Sequence, residues 1–281
     1  MMTFRAQSLK APLPAGMMWL LEKLAESKKK QALCEKTPPQ ILKHLREVAL
    51  LESVESSNRI DGVTIEPDRL RALVLDDARP RDRSEEKVRG YKNALSWIHG
   101  NHEKAPIGPE TLRRIHAVAQ EGTVGDAGEW KVSQNEIVEL DPEGRLEVRF
   151  EPVEPARVPV AVEELCCAYN RCIGERQIAP LLAAAGLVFD FLCIHPFREA
   201  NGRVSRLLTV LALYHHGHRV GRHISLERIV EQSRESYYEA LQASSVGWHH
   251  GGHNIMPWVH YFLSMLHAAY REFEERALQP F

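Results

Sequence analysis

Apolar positions recur every three or four residues along most of this chain, the spacing that gathers them on one face of a helix. Val88, Tyr91, Leu95 and Ile98 in EEKVRGYKNALSWI follow it plainly. The same periodicity, with starts marked by Pro or by a capping Ser or Asp, predicts helices over 16–32, 39–56, 109–120, 157–173, 180–194, 202–216, 233–244 and 257–277. NEIVELDPEGRLEVRFEPV, 135–153, breaks the rule: two short β-branched runs flank Asp141-Pro142-Glu143-Gly144, a turn sequence. That predicts one hairpin in an otherwise all-α protein. A lone two-stranded hairpin is marginal in water, so it is expected to lie over core or ligand. The charged stretch DDARPRDRSEEK, 76–87, is expected to be an exposed connection behind an N-terminal helical part.

The chain has 281 residues, 44% hydrophobic and 26% charged, which suits one large globular domain or one with an appended helical segment. Lys+Arg 36 against Asp+Glu 38 gives a net charge of -2, so no global field recruits nucleic acid or anionic lipid. Phosphate binding must be local. Cys34, Cys166, Cys167, Cys172 and Cys193 are odd in number and lack CxxC pairing, and they read as reduced core residues of a cytosolic protein. The N-terminal apolar stretch is too short for a signal peptide or a membrane span, which makes the cytoplasm the expected location.

Candidate chemistry concentrates in HPFREANGRVSR, residues 195–206. The wholly apolar LLAAAGLVFDFLCI delivers His195 rigidly from the interior, as a general base requires. Pro196 ends that helix, and Phe197 is expected to plug into the core. Asn201 and Gly202 open the next helix, whose unpaired N–H groups and dipole form an anion seat. Arg203 and Arg206, three residues apart, could hold further phosphate oxygens with planar forks. Glu199 is the one hard anionic oxygen ligand, suited to Mg²⁺. Together these groups are equipment for phosphoryl-type transfer to a hydroxyl.

The stretch resembles the motif H-P-F-x-D/E-G/A-N-G-R-x-x-R of the Fic/DOC (fido) family. GEWK at 128–131, the hairpin, SYYEAL at 236–241 and PWVHYFL near the C-terminus are similar to further family segments, so the likeness covers about 40–275. It implies an all-helical Fic fold with a β-hairpin flap, and transfer of AMP from ATP to a Ser, Thr or Tyr hydroxyl of a target protein. On that resemblance His195 takes the hydroxyl proton and Glu199 carries Mg²⁺. Asn201 and the Gly202 backbone hold phosphate oxygens, Arg203 the β-phosphate and Arg206 the γ-phosphate. Ala200 replaces the commoner Gly at the nest. Tyr237 and Tyr238 match a pair near base and ribose, although either fits plain helix core. Glu136, Ile137 and Val138 match the flap strand that pairs with a target's backbone.

Upstream, ESSNRIDG at 55–62 resembles the family's inhibitory pattern S/T-x-x-x-E-G/N through Ser57, Asp61 and Gly62. The carboxylate would pair with Arg206 and exclude the γ-phosphate, but Asp is one methylene shorter than Glu and is expected to inhibit leakily. Read without the family, Asp61-Gly62 is a helix C-terminal turn. The implied organisation is an N-terminal helical region over 1–85 with the inhibitory helix at 39–60, a catalytic core over 86–250 and a C-terminal helix over 251–281. Partners implied are ATP and a target protein along the flap, with self-modification and a homodimer as further expectations. Removal of AMP by the same site, and an ATP-sensing module with little turnover, are the rival activities. The histidines of 214–223 and 248–258 lack the helical i, i+4 pair with a carboxylate of a catalytic zinc motif, and read as connections.

Overall fold

In the computed structural model, which describes residues 2–5, 9, 12–34, 38–123, 125–140 and 146–278, the most apolar sequence becomes the central helix. This helix, with the earlier ones numbered ahead of it, is α8, Pro180–Ile194, buried on all sides except at Leu192 and its first residue. It packs on α7 (Val158–Gly174), α9 (Asn201–His215) and α12 (Met256–Leu278). Such a helix has no solvent face to lose, so its end is a fixed platform. Helix α5 (Arg83–Asn101) lies against α6 (Pro109–Ala119) closely enough that a Cβ on Gly90 would meet the Ala119 carbonyl oxygen at 2.4 Å.

Around this core, α2 (Ala15–Cys34) and α11 (Arg234–Ser245) pack on α12, while α3 (Pro39–Ile60) packs on α4 (Pro67–Leu75), α5 and α10 (Leu226–Gln232). The short α1 (Met2–Arg5) is pinned by a buried carboxylate: Asp190 of α8 accepts from Trp248 Nε1 at 2.7 Å and from the Thr3 N–H and hydroxyl. Burial pushes Asp190 up to about 6.

Strands β1 (Ile137–Leu140) and β2 (Leu146–Phe150) form the expected antiparallel hairpin, with Val138 opposite Val148 and Ile137 opposite Phe150. Its turn, 141–145, lies outside the described residues. The hairpin does rest on something. Phe150 stacks on His249 with ring centroids 5.3 Å apart, and the Glu151 carbonyl lies 2.8 Å from His249 Nε2.

Four expectations need correction. Helices α4 and α10 were not predicted, because seven to nine residues give too few turns for a periodicity to register. Helix α3 runs on to Ile60, four residues beyond the expected end. The stretch 76–87 is not all exposed connection: α5 takes its last five residues, Asp82 caps it by accepting from the Glu85 N–H, and Glu85 is buried against Arg69. Cys167 is exposed, because its neighbour Cys166 takes the core-facing direction and successive helical residues point about 100° apart. The Cys34 side chain lies outside the described residues.

Candidate active site

Two residues in left-handed backbone shape the loop between α8 and α9. His195 caps α8 with φ 50°, and Ala200 precedes α9 with φ 63°. Neither is glycine, so both conformations must be held by their surroundings. Phe197 is the holding point: fully buried, its ring lies parallel to His116 at a centroid distance of 3.8 Å and also touches Trp130 and Phe191. Its backbone is clamped as well. Asn201 Oδ1 accepts from the Phe197 N–H at 2.9 Å, while Asn201 Nδ2 and Asn135 Nδ2 donate to the Phe197 carbonyl at 2.7 and 3.0 Å. The Asn201 amide therefore shapes the loop, and what it offers an anion is its backbone N–H.

Lys131, the last residue of GEWK, completes the brace. Its N–H donates to the Pro196 carbonyl at 2.9 Å, its ammonium donates to Asn135 Oδ1 at 2.6 Å, and burial lowers that ammonium to about 8. No motif logic singled out Lys131 or Asn135. Their signal was only the resemblance of the segment around them.

His195 is held as a neutral ring. Burial pulls its pKa down to about 4, and Leu192 O lies 3.3 Å from Nδ1. A carbonyl can only accept, so that contact places the proton on Nδ1 and leaves the Nε2 lone pair free. Beyond it, α9 begins without a side-chain cap, and its first helical bond runs from the Val204 N–H to the Ala200 carbonyl. The N–H groups ahead of Val204 are the orphan donors of a helix start.

Both arginines are buried and converge on one carboxylate. Asp61 Oδ1 accepts from Arg206 Nη2 at 2.9 Å, and Asp61 Oδ2 lies 3.3 Å from Arg203 Nε, an ion pair too poorly aligned to be a hydrogen bond. Arg206 also donates from Nε to Ser57 Oγ at 2.8 Å and from Nη2 to the Ser57 carbonyl at 2.9 Å. Arg203 Nη2 donates to Gln120 Oε1 at 3.1 Å. Burial lowers Arg203. At Arg206 burial pulls the same way but is outweighed by Asp61 and by the phenols of Tyr91 and Tyr237, which hold it raised. Both start so far above neutrality that both stay charged.

Although one methylene shorter than Glu, the Asp61 side chain reaches both arginines because of the backbone that carries it. Gly62, at φ 78°, turns the chain sharply, with its N–H on the Arg59 carbonyl and the Val63 N–H on the Asn58 carbonyl. The turn ends α3 one residue before Asp61, which brings that carboxylate over the first turn of α9.

A cavity of about 400 Å³ collects these groups, lined by Asp61, His195, Gly202, Arg206, Tyr237 and Tyr238, with Ile137 and Val138 of the hairpin as its lid. Glu136 sits one residue ahead of β1 instead of within it. Tyr237 is buried against Trp258 and Tyr261, so it serves as core and wall together. Tyr238 is partly buried under the Arg234 guanidinium, 5.6 Å from its ring. Arg149, Phe150, Arg234 and Ser245 also line the cavity. Of these, Arg149 and Arg234 carry no sequence signal, because what brings them in is the hairpin fold and the α11 packing. Ser244 is fully buried and accepts from the Trp258 N–H, a packing role.

Glu199 is not among the residues that line this cavity; it is half-exposed, 3.2 Å from Arg83 Nη2. An exposed pair of this kind is weak and exchangeable. That leaves one carboxylate for a hard divalent cation that takes its other ligands from phosphates and water, which is how Mg²⁺ is commonly held. Among the described residues no three His, Cys, Asp or Glu side chains gather into a metal cage, and no helix is long and apolar enough to cross a membrane.

Comparison with known proteins bears on the fold and on the segment that carries the loop. Residues 106–213 match the model of the Fic/DOC family. A fido domain-containing protein of Dictyostelium discoideum is 39% identical over 49 residues, a match spanning 17% of this chain and 34% of that protein. A Fic family protein from Desulfovibrio desulfuricans superposes with a TM-score of 0.75 at 20% identity, covering 96% of this chain and 78% of the other. For a Fic domain-containing signaling protein from Bacteroides thetaiotaomicron the TM-score is 0.74 at 20% identity, over 91% and 96%. Fic-1 from C. elegans gives 0.72 at 20% identity, over 93% and 72%. The fold is shared where the sequence has largely diverged, and the segment 106–213, with the His195–Arg206 loop inside it, belongs to the Fic/DOC family.

Proposed function

We propose that the chain is a protein adenylyltransferase, moving AMP from ATP to a Ser, Thr or Tyr hydroxyl of a target protein. The observation that carries this reading is a neutral His195 with a free Nε2 beside an uncapped helix start and a buried arginine, all in one cavity. His195 Nε2 takes the proton as the hydroxyl oxygen attacks the α-phosphorus. The bond to the bridging oxygen breaks, and pyrophosphate leaves with the electron pair. The N–H groups at the start of α9 stabilise the charge on the transferred phosphoryl, while Arg203 and Arg206 hold the departing end. Mg²⁺ bound by Glu199 and phosphate oxygens would supply neutralising charge. The target's backbone pairs with β1 along Ile137 and Val138, which seats its hydroxyl without reading its sequence.

Asp61 inhibits by occupying the guanidinium donors that the terminal phosphate requires. Its place in the cavity lining also supports a second reading, removal of AMP with Asp61 orienting water. Incubating wild type and His195→Ala with Mg²⁺ and ATP labelled at the α or the γ phosphate tests the proposal. Protein-bound label is expected from the α position only, reduced at least about a hundredfold in His195→Ala. Label from γ alone would refute it, and loss of label from a pre-modified protein would favour the second reading.

A further inference from the structure

A second cationic pocket, of about 340 Å³, shares no lining residue with the cavity around His195. Arg46 enters it from the N-terminal half of α3, His102 and Glu103 from the end of α5, and Arg219, Arg222 and His223 from the short 3-10 turn that follows α9. His102 and His223 are 8% and 3% exposed and form the floor, whereas Arg46 and Arg219 stand at the exposed rim. With both histidines neutral, three arginines against one glutamate leave the lining with two positive charges. Glu103 does little to cancel them: it lies 3.8 Å from Arg219 and is itself largely exposed.

The floor carries donors with nothing to donate to. Arg46 Nε–H donates to His223 Nε2 at 3.3 Å, and a guanidinium has no lone pair with which to accept. His223 Nε2 is therefore the acceptor, and a neutral ring then carries its proton on Nδ1. Burial, then Arg46 and Arg222, hold that ring neutral by lowering it to about 4. This Nδ1–H is buried and has no partner. Arg222 repeats the pattern: its Nη2 donates to the His99 carbonyl at 2.5 Å, and its buried Nε–H has no partner. Unpaired buried N–H groups are costly and rare in folded proteins, and two beneath a cationic rim match an acceptor that brings negative charge.

We infer that this pocket binds a small, multiply charged oxyanion of the phosphate or pyrophosphate class. Its charge is met by Arg46, Arg219 and Arg222, above the buried N–H groups of Arg222 and His223. Because Arg46 belongs to α3 and the other groups do not, the bound anion bridges α3 to the rest of the protein. Resting on the inhibitory reading of Asp61, the bridge secures the far end of the helix that carries it, about 22 Å along the axis.

The test uses the full chain and reads His223 directly, so it stays independent of any transfer reaction. Inorganic phosphate and pyrophosphate are titrated separately into protein with ¹⁵N-labelled histidine. The His223 ring resonances are identified by their loss in His223→Gln. They are expected to shift saturably, and the tighter anion of the two identifies the ligand size. In Arg46→Gln/Arg219→Gln, which also removes the Arg46–His223 hydrogen bond, saturation should need roughly a hundredfold more ligand, about tenfold for each of the two lost cations. Amide hydrogen exchange across 39–60 should slow on binding in wild type and not in the double variant. Resonances that stay still to about millimolar anion, equal saturation in both proteins, or unchanged exchange in wild type would overturn the inference.

Discussion

Asp61 shows how much one side chain can do when its backbone is turned correctly. Its two oxygens touch two buried guanidinium groups, yet neither arginine depends on it for position: Ser57 holds Arg206 through Oγ and the carbonyl, and Gln120 holds Arg203. Asp61→Ala should therefore leave the cations in place and free their donors. Self-modification with α-labelled ATP is expected to rise roughly tenfold or more. Because both guanidinium groups are buried and lose this carboxylate, the melting curve should register a loss of up to roughly 3 kcal/mol. An unchanged rate would remove Asp61 from control. The residues of the 195–206 loop were legible in sequence because the motif is contiguous and its chemistry is dense. The reach of Asp61 was not legible, since side-chain length is visible in a sequence and the turn at Gly62 that compensates for it is not.

Among elements, the long helices apart from the end of α3 were legible to within a residue or two, as in α8 and α6. Helices α4 and α10 escaped because they are brief, and their stability comes from packing under α3 instead of from their own pattern. The α5–α6 contact gives this scale its own experiment. Gly90→Ala adds helix propensity but drives a Cβ to 2.4 Å from the Ala119 carbonyl, a backbone atom that cannot step aside. Overpacking should prevail, with a net loss of roughly 1–3 kcal/mol. In the same helix Gly100 has nothing within 4 Å of a new Cβ, so Gly100→Ala should be neutral or stabilising by up to about 1 kcal/mol. Chemical denaturation of both variants checks the pair, and equal behaviour would contradict the close-contact explanation.

Across the whole molecule, burial keeps an unusual number of histidines neutral. His99 and His218 are held down to about 3, and His116, His195, His216 and His223 to about 4. As pH falls below about 6.5 the unfolded chain takes up these six protons while the folded protein refuses them, so stability is lost through the window from 6.5 down to about 4. Asp190 works in the opposite sense. Raised to about 6, it favours the folded state at low pH and loses that contribution as pH rises, but it is one group against six. The melting temperature should drop by roughly 20 °C or more between pH 7 and pH 5, and a flat or rising profile would refute this balance. Such distant associations, like Arg46 beside His223, have no local pattern and could not be read from the chain. On the proposed function, the shared claim of Asp61 and the terminal phosphate on Arg206 also has a consequence for supply. Only the undocked fraction of α3 is competent, so apparent nucleotide affinity is diluted by that fraction. Activity would then follow the cell's nucleotide level over a wider range before saturating, low in a starved cell and higher in a replete one.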